Sequence, residues 1–239
     1  MQYEVPLMHN AELSTRCREY AQNTVKFLKK TTGCSAVVFT WYHDNRSKPP
    51  HFQLGADEEM ITEYYDRYYH ADPLRADLLI ETATHFATLS NAREKHDENL
   101  LEQYYPFLRK YKIREEMDLL FCAGGIPVAS AALLHQESSR ENNMGACDLK
   151  EVHKYLQYAF SILPSVRLIN MNAELEARYK LTPKERAVVE LIVSGESNKS
   201  IAARLGMELP TTKTHVLHIF EKLQVDSRGK VISLLMGVR

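Results

Sequence analysis

The chain has 239 residues, 44% apolar and 26% charged, with a formal net charge of −1. That content supplies enough apolar side chains for a core, which excludes a disordered chain, and the length suits one large domain or two modest ones. No apolar run approaches the roughly 18 residues of a membrane span, the opening MQYEVPLMHNAELSTRC has no signal-peptide pattern, and Cys17, Cys34, Cys122 and Cys147 lie scattered without a CxxC, as reduced thiols in a cytoplasm would.

In chain order, residues 11–31 predict an amphipathic helix with Leu13, Cys17, Tyr20, Ala21, Val25 and Leu28 inward. Ser35–Tyr42 is rich in β-branched and aromatic residues and predicts a strand. His43–Pro50 predicts a turn, and His51–Gly55 a second short strand. Residues 57–70 predict a helix lined by Ile61, Tyr64, Tyr65 and Tyr68, redirected by Asp72-Pro73. Further helical turns are expected over 74–82, and a polar helix over 90–111 that Pro106 kinks or divides. Glu116–Ala123 and Val128–His135 predict apolar strands joined through Gly124-Gly125-Ile126-Pro127. A polar loop follows over 136–146, then an amphipathic helix over Leu149–Leu168, interrupted by Pro164.

The last quarter predicts four helices. Thr182, Pro183 and Glu185 form an N-cap, an N1 proline and a capping-box partner. Val188, Leu191 and Ile192 make one apolar face, and Ser194-Gly195 ends the helix. Ser197-Asn198 opens a second short helix with Ile201, Ala202 and Leu205 inward, ended by Gly206. Pro210 suits the first turn of a third, in which Val216, Ile219, Phe220 and Leu223 face inward and Lys213, Thr214, Leu217 and His218 outward. Two short helices, a turn with glycine and a polar outer face on the second fit a helix that enters the major groove. Residues 179–239 carry ten basic and six acidic side chains, while the rest carries twenty and twenty-five, so a phosphate-binding charge sits at one end of the chain.

These residues resemble the C-terminal DNA-binding domain of LuxR-family, GerE-type regulators. Leu181, Thr182, Glu185, Val188, Leu191, Ile192, Gly195, Ser197, Asn198, Lys199, Ile201, Ala202, Leu205, Thr211, Lys213, His215, Ile219, Lys222, Leu223, Val225 and Arg228 stand at the family's fixed spacings. The chain departs from the pattern at Thr212, where Val is usual, at Glu208, where a Ser N-cap is usual, and at Gln224, where Gly usually follows Lys-Leu. The resemblance implies promoter double-stranded DNA as a partner, a homodimer on a dyad site and contact with RNA polymerase. For DNA contact it singles out Lys213, Thr214, Leu217, His218, Asn198, Lys199, Thr211 and Arg228. Lys213 is placed for a base edge or phosphate, Thr214 and Leu217 for a thymine methyl, and Asn198, Lys199 and Thr211 for phosphates at helix starts.

The order helix, strands, helices, strands, helix resembles the GAF/PAS-like sensor domains that precede this helix-turn-helix. The fold class expected is α+β: an α-β-α sandwich-like sensor with an antiparallel sheet over 1–168, a linker over 169–178 and the all-α domain over 179–239. Quorum-sensing members carry a Trp and Tyr one turn apart and then an Asp-Pro around an acyl-homoserine lactone. Tyr64, Tyr68 and Asp72-Pro73 are a partial echo of that set, with Tyr64 in place of the Trp. A small-molecule site would then take Tyr64, Tyr68 and Asp72, with Phe39, Trp41 and Phe121 as floor residues; alternatively the tyrosines only cover the sheet and Asp72 caps a turn.

No catalytic constellation is present: no Gly-x-Ser-x-Gly, P-loop or HExxH, and no acidic pair of a phosphoacceptor domain near Asp44. The cluster Glu94, His96, Asp97 and Glu98 has no second group of metal ligands and is expected to be a solvated helix face. No cofactor and no membrane partner are expected. The chain therefore is expected to be a cytoplasmic transcription regulator with a small-molecule sensor. The alternatives are a ligand-free dimerisation or docking module before the same DNA-binding domain, and an enzyme with an appended one.

Overall fold

A computed structural model describes residues 8–9, 12–42, 48–81, 85–93, 98–136 and 148–236. The loop expected over 136–146 falls almost wholly outside them, as do Asp44, Glu94, His96 and Asp97. The chain divides into two compact units, Met1–Arg167 and Leu168–Arg239.

The first unit is built on a five-stranded antiparallel sheet: β1 (Ala36–Trp41), β2 (His51–Leu54), β3 (Phe86–Thr88), β4 (Ile113–Ala123) and β5 (Ile126–Gln136), in the spatial order β2-β1-β5-β4-β3. Met8–His9 and Glu12–Leu13 form a separate two-residue ladder. The β4–β5 connection is tighter than expected. Gly124 and Gly125, at φ 60° and 81°, make the whole turn, because both central positions of a twisted hairpin turn need positive φ. Ile126 and Pro127 therefore belong to β5, and each strand runs eleven residues. The edge strand β3 was not expected; three residues are too few to show an alternation.

Helix α1 (Thr15–Thr32) starts at Ser14, whose hydroxyl accepts from the Cys17 N–H at 3.3 Å, and ends at left-handed Gly33. It buries Cys17, Ala21, Val25 and Leu28. Five helices follow: α2 (Glu58–Glu63), α3 (Ala76–Glu81), α4 (Leu89–Arg93), α5 (Glu98–Lys110) and α6 (Leu149–Ser161). Pro106 does not divide α5. Pro106 and Glu102, whose carbonyl loses its partner, are both exposed, so water can take the lost bond. Tyr20 of α1 and Phe160 of α6 pack on Phe39, Trp41 and Phe121 of one sheet face, with ring centroids 5.3–6.2 Å apart. On the other face, Met60, Leu74, Tyr104 and Phe107 join one apolar cluster with Leu120 and Leu134. This is the expected α-β-α arrangement.

Pro164 separates α6 from α7 (Pro164–Ala177), where it occupies the first position. The segment expected as a linker, 169–178, is thus helical through Ala177, and Leu175 is fully buried in the second unit's core. That core gathers Leu175, Leu181, Val188, Ile192, Ile201, Val216, Ile219, Leu223 and Val231 from α7, α8 (Pro183–Val193), α9 (Asn198–Arg204), α10 (Leu209–Leu223) and α11 (Arg228–Met236). The three departures from the family pattern each have a local account. Thr212 is fully buried, but its hydroxyl donates to the Glu208 carbonyl at 3.2 Å. Glu208 occupies the N-cap without a side-chain cap bond. Gln224 adopts φ 55°, ψ 45°, the left-handed conformation that glycine takes more cheaply.

Val216→Asp places a charge among these apolar side chains, and the second unit is expected to lose several kcal/mol. Urea unfolding that matches wild type would show that Val216 lies outside the core. Gln224→Gly relieves the left-handed strain and is expected to add roughly 0.5–1 kcal/mol, read as a higher urea midpoint at constant slope.

Candidate functional site

The C-terminal unit has the helix-turn-helix arrangement, and its local geometry follows the sequence. Thr182 Oγ1 accepts from the Glu185 N–H at 3.3 Å, and the Glu185 carboxylate accepts from the Thr182 N–H at 2.7 Å. Burial pushes the Glu185 carboxyl up, but Lys222, 2.6 Å away, and the Thr182 N–H and hydroxyl outweigh it and hold the group below its ordinary range. Ser197 caps α9 by accepting from the Ser200 N–H at 3.2 Å.

On α10 the inward face is Thr212, Val216, Ile219 and Leu223, and Thr211, Lys213, Thr214, Leu217 and His218 are exposed. Leu217 is 60% exposed, an unusual place for a leucine on a helix with a buried side. Most basic groups nearby are paired: Arg204 with Glu196 at 3.0 Å, Lys222 with Glu185, and Lys230 with Asp226 at 2.5 Å. Among the described residues, Lys199 and Lys213 are exposed and no carboxylate is recorded within 4.0 Å of either. Asn198 is half-buried at the start of α9. Arg228 is placed differently from the expectation. Its guanidinium donates to the Ile192 carbonyl at 3.2 Å and to the Glu196 carbonyl. It closes the C-terminal end of α8, where the last carbonyls lack helical donors, and is engaged inside the protein.

The second candidate site is a cavity of about 50 Å³ in the first unit. Tyr64 and Asp72 line it, as expected. The Tyr64 hydroxyl donates to Asp72 Oδ2 at 2.5 Å, and the Leu74 N–H donates to Asp72 Oδ1 at 2.7 Å. Asp72 thus caps a turn and faces the cavity together. Tyr68 does not line it. Residues Tyr64–Tyr68 form a π-helical turn, which brings residues five apart onto one side. Tyr69 therefore takes the place beside Tyr64, with ring centroids 6.0 Å apart, and Tyr68 turns to Phe107 at 5.4 Å. Phe39, Trp41 and Phe121 are not the floor either. Side chains alternate along a strand, so these three face the aromatic core with Phe160, while Val38, Thr40 and Tyr42 face the cavity.

The floor instead carries Glu116 and Asp118 of β4 and Ser130 of β5. Tyr104 donates to Glu116 Oε2 at 2.8 Å, Tyr42 to Ser130 Oγ at 2.8 Å and Tyr65 to Thr40 Oγ1 at 3.2 Å. Burial raises the Asp72 carboxyl from 3.8 to about 6, against the bonds from Tyr64 and Leu74 and the nearby Arg75, which pull the other way. Burial, and then the Asp72 charge, push Glu116 and Asp118 well above the ordinary carboxylate range. Sequence reasoning took β4 as an apolar run. The missed signal is Glu116-x-Asp118, two acids on one face of a run, Glu116–Ala123, whose other positions are apolar.

A helix-turn-helix with a polar exposed third helix defines a DNA-binding protein. Residues 179–235 match the family described as bacterial regulatory proteins, luxR family, so the chain carries a luxR-family helix-turn-helix domain at these residues. The monoamine regulon transcriptional regulator of Klebsiella aerogenes is 26% identical over 197 residues, covering 80% of this chain and 79% of that one. The nitrate/nitrite response regulator protein NarL of Escherichia coli (strain K12) is 45% identical over 49 residues, 20% of this chain and 23% of NarL. A crystal structure of Escherichia coli SdiA covers 96% of this chain and 93% of that one at 12% identity, with a TM-score of 0.40, too loose a superposition to bear on either site. Among the described residues, no helix is long and apolar enough to cross a membrane.

The raised carboxyls set a pH dependence. The native state holds protons that the unfolded state has already released above about pH 4, so stability falls as pH rises from 3.8 through about 6 for Asp72, and further for Asp118. Asp118→Asn removes its share, and each unit of raised pKa corresponds to about 1.4 kcal/mol. The variant is expected to be more stable than wild type at pH 7.5 and nearer to it at pH 5, measured by urea unfolding of the full chain. Equal stability at both values would show that Asp118 ionises freely.

Proposed function

We propose that α10 reads promoter DNA in the major groove and that the N-terminal unit sets this activity in response to a small molecule. The observation that carries the first half is the pair of uncommitted cations, Lys199 and Lys213, beside the exposed Thr211, Thr214, Leu217 and His218. Lys213, Thr214, Leu217 and His218 take base edges, and Asn198, Lys199 and Thr211 take phosphates. Arg228 supports the end of α8. The working form is a homodimer on a dyad site that contacts RNA polymerase in the cytoplasm, where promoter DNA is, and it is a regulator rather than an enzyme. The buried polar cavity around Tyr64 and Asp72 supports the second half, because an internal polar face is kept in a protein chiefly where something uses it.

A ligand-free docking module is the second reading. It draws on Tyr155, Tyr158 and Ile162, large side chains more than half exposed along α6. A thermal-shift screen of lactones, pyrazines, indole and amino-acid derivatives separates the two, since only a bound ligand raises the melting temperature with concentration.

Lys213→Ala is expected to weaken specific binding by about 1–3 kcal/mol with unchanged circular dichroism. Wild-type affinity for a preferred promoter fragment would remove α10 as the reading helix.

A further inference from the structure

The cavity floor has more carboxyl groups than the fold needs. Asp72, Glu116 and Asp118 are each at most 6% exposed and all line the same space. Asp72 and Glu116 each accept from a tyrosine hydroxyl. For the Asp118 carboxylate no hydrogen-bond or ion-pair partner is found among the described residues, although it is 94% removed from water and faces the cavity. Among the described residues, Arg75 is the only basic side chain lining the cavity, and it is committed to the Asp77 carboxylate at 3.0 Å and to the His70 carbonyl. The walls are aromatic: Tyr42, Tyr64, Tyr65, Tyr69 and Phe107.

Each class of ligand meets this arrangement differently. An anion would face three carboxyl groups in a low-dielectric space. A neutral amide donor needs one acceptor, and Asp72 alone supplies it. Among the described residues, no three His, Cys, Asp or Glu side chains gather as metal ligands do. A cation gains from all of it, through charge-assisted hydrogen bonds to a carboxylate and attraction to the ring faces.

We propose that this cavity binds a small protonated amine, whose ammonium group pairs with Asp118 beside Glu116 and Asp72, between the tyrosine rings, the Asp118 carboxyl giving its proton to solvent as the amine enters. This rests on the reading of the N-terminal unit as a small-molecule sensor. The volume of about 50 Å³ selects a compact head group, and a larger amine must displace a wall residue. Asp118 and Glu116 then distinguish an amine from the alcohol of the same shape, because the alcohol leaves the carboxylates without a counter-charge.

The test compares benzylamine with benzyl alcohol and propylamine with propan-1-ol, on the full chain, by thermal shift and calorimetry at constant chloride. The amines are expected to raise the melting temperature with concentration and the alcohols to leave it unchanged. Asp118→Asn and Glu116→Gln, each checked for native circular dichroism, are expected to weaken amine affinity at least tenfold. Equal shifts by the alcohols, or full amine affinity in both variants, overturn the proposal. A shift with an acyl-homoserine lactone and none with either amine overturns the cation preference and leaves the sensor reading standing. No shift with any amine, lactone, pyrazine, indole or amino-acid derivative overturns both.

Discussion

Along β1 and β4 successive side chains point to opposite faces of the sheet, one wholly apolar and the other an apolar cluster with carboxyl and hydroxyl groups set into it. Odd positions, Phe39, Trp41 and Phe121, join Tyr20 and Phe160 in a cluster of stacked and edge-on rings. Even positions, Thr40, Glu116 and Asp118, face a small closed space with Ser130 from β5. The register locks this division. Thr40 and Leu120 both pair with Ser130, and Val38 and Asp118 both pair with Ala132, so the polar groups of three strands lie together. A slip of one residue would bury Glu116 and Asp118 among the rings. The aromatic face, together with the apolar cluster of the other, supplies the packing energy that tolerates these buried polar groups.

The C-terminal unit rests on different means. Its helices are short, and α9 has only seven residues, below the length at which a helix holds alone. The reciprocal cap at Thr182, the one-way cap at Ser197, the Lys222–Glu185 pair and the Arg228 bridge to the end of α8 fix the helix ends. With its ends so fixed, α10 presents one face outward, on which Lys213 makes no ion pair among the described residues. Lys222 and Arg228 are engaged within the unit, while Lys199 and Lys213 make no ion pair among the described residues, a division that charge alone does not show.

The parts of this fold legible in the sequence are those decided by near neighbours. The capping box, the glycines at turns and the apolar spacing of α10 are local, and the helix-turn-helix follows from them. The N-terminal site was half legible. Tyr64 and Asp72 sit in the cavity, but the π turn after Glu63 moved Tyr69 into the place expected for Tyr68. Periodicity assumes α spacing and cannot show such a turn. Phe39, Trp41 and Phe121 were assigned to the wrong face because β1 is buried on both sides, so polarity gives no direction. Arg228 stands at a patterned position, yet a position does not say whether a guanidinium meets a phosphate or a carbonyl. Glu116 and Asp118 are readable as two acids on one face, but the rest of the run Glu116–Ala123 is apolar and masks them.

A ligand moves a conformational equilibrium only by as much as it favours one state over another. Had the sheet's acids been paired with lysines of the chain itself, the cavity would be satisfied when empty and a ligand would have little to add. Asp118 has no such partner, and burial holds its proton on well above the ordinary range. A buried polar group left unpaired costs of order 1–3 kcal/mol. On the proposed reading, an amine that pairs with Asp118 favours the liganded state by relieving that cost, and the groups that weaken the domain are then the ones that tell one small molecule from another.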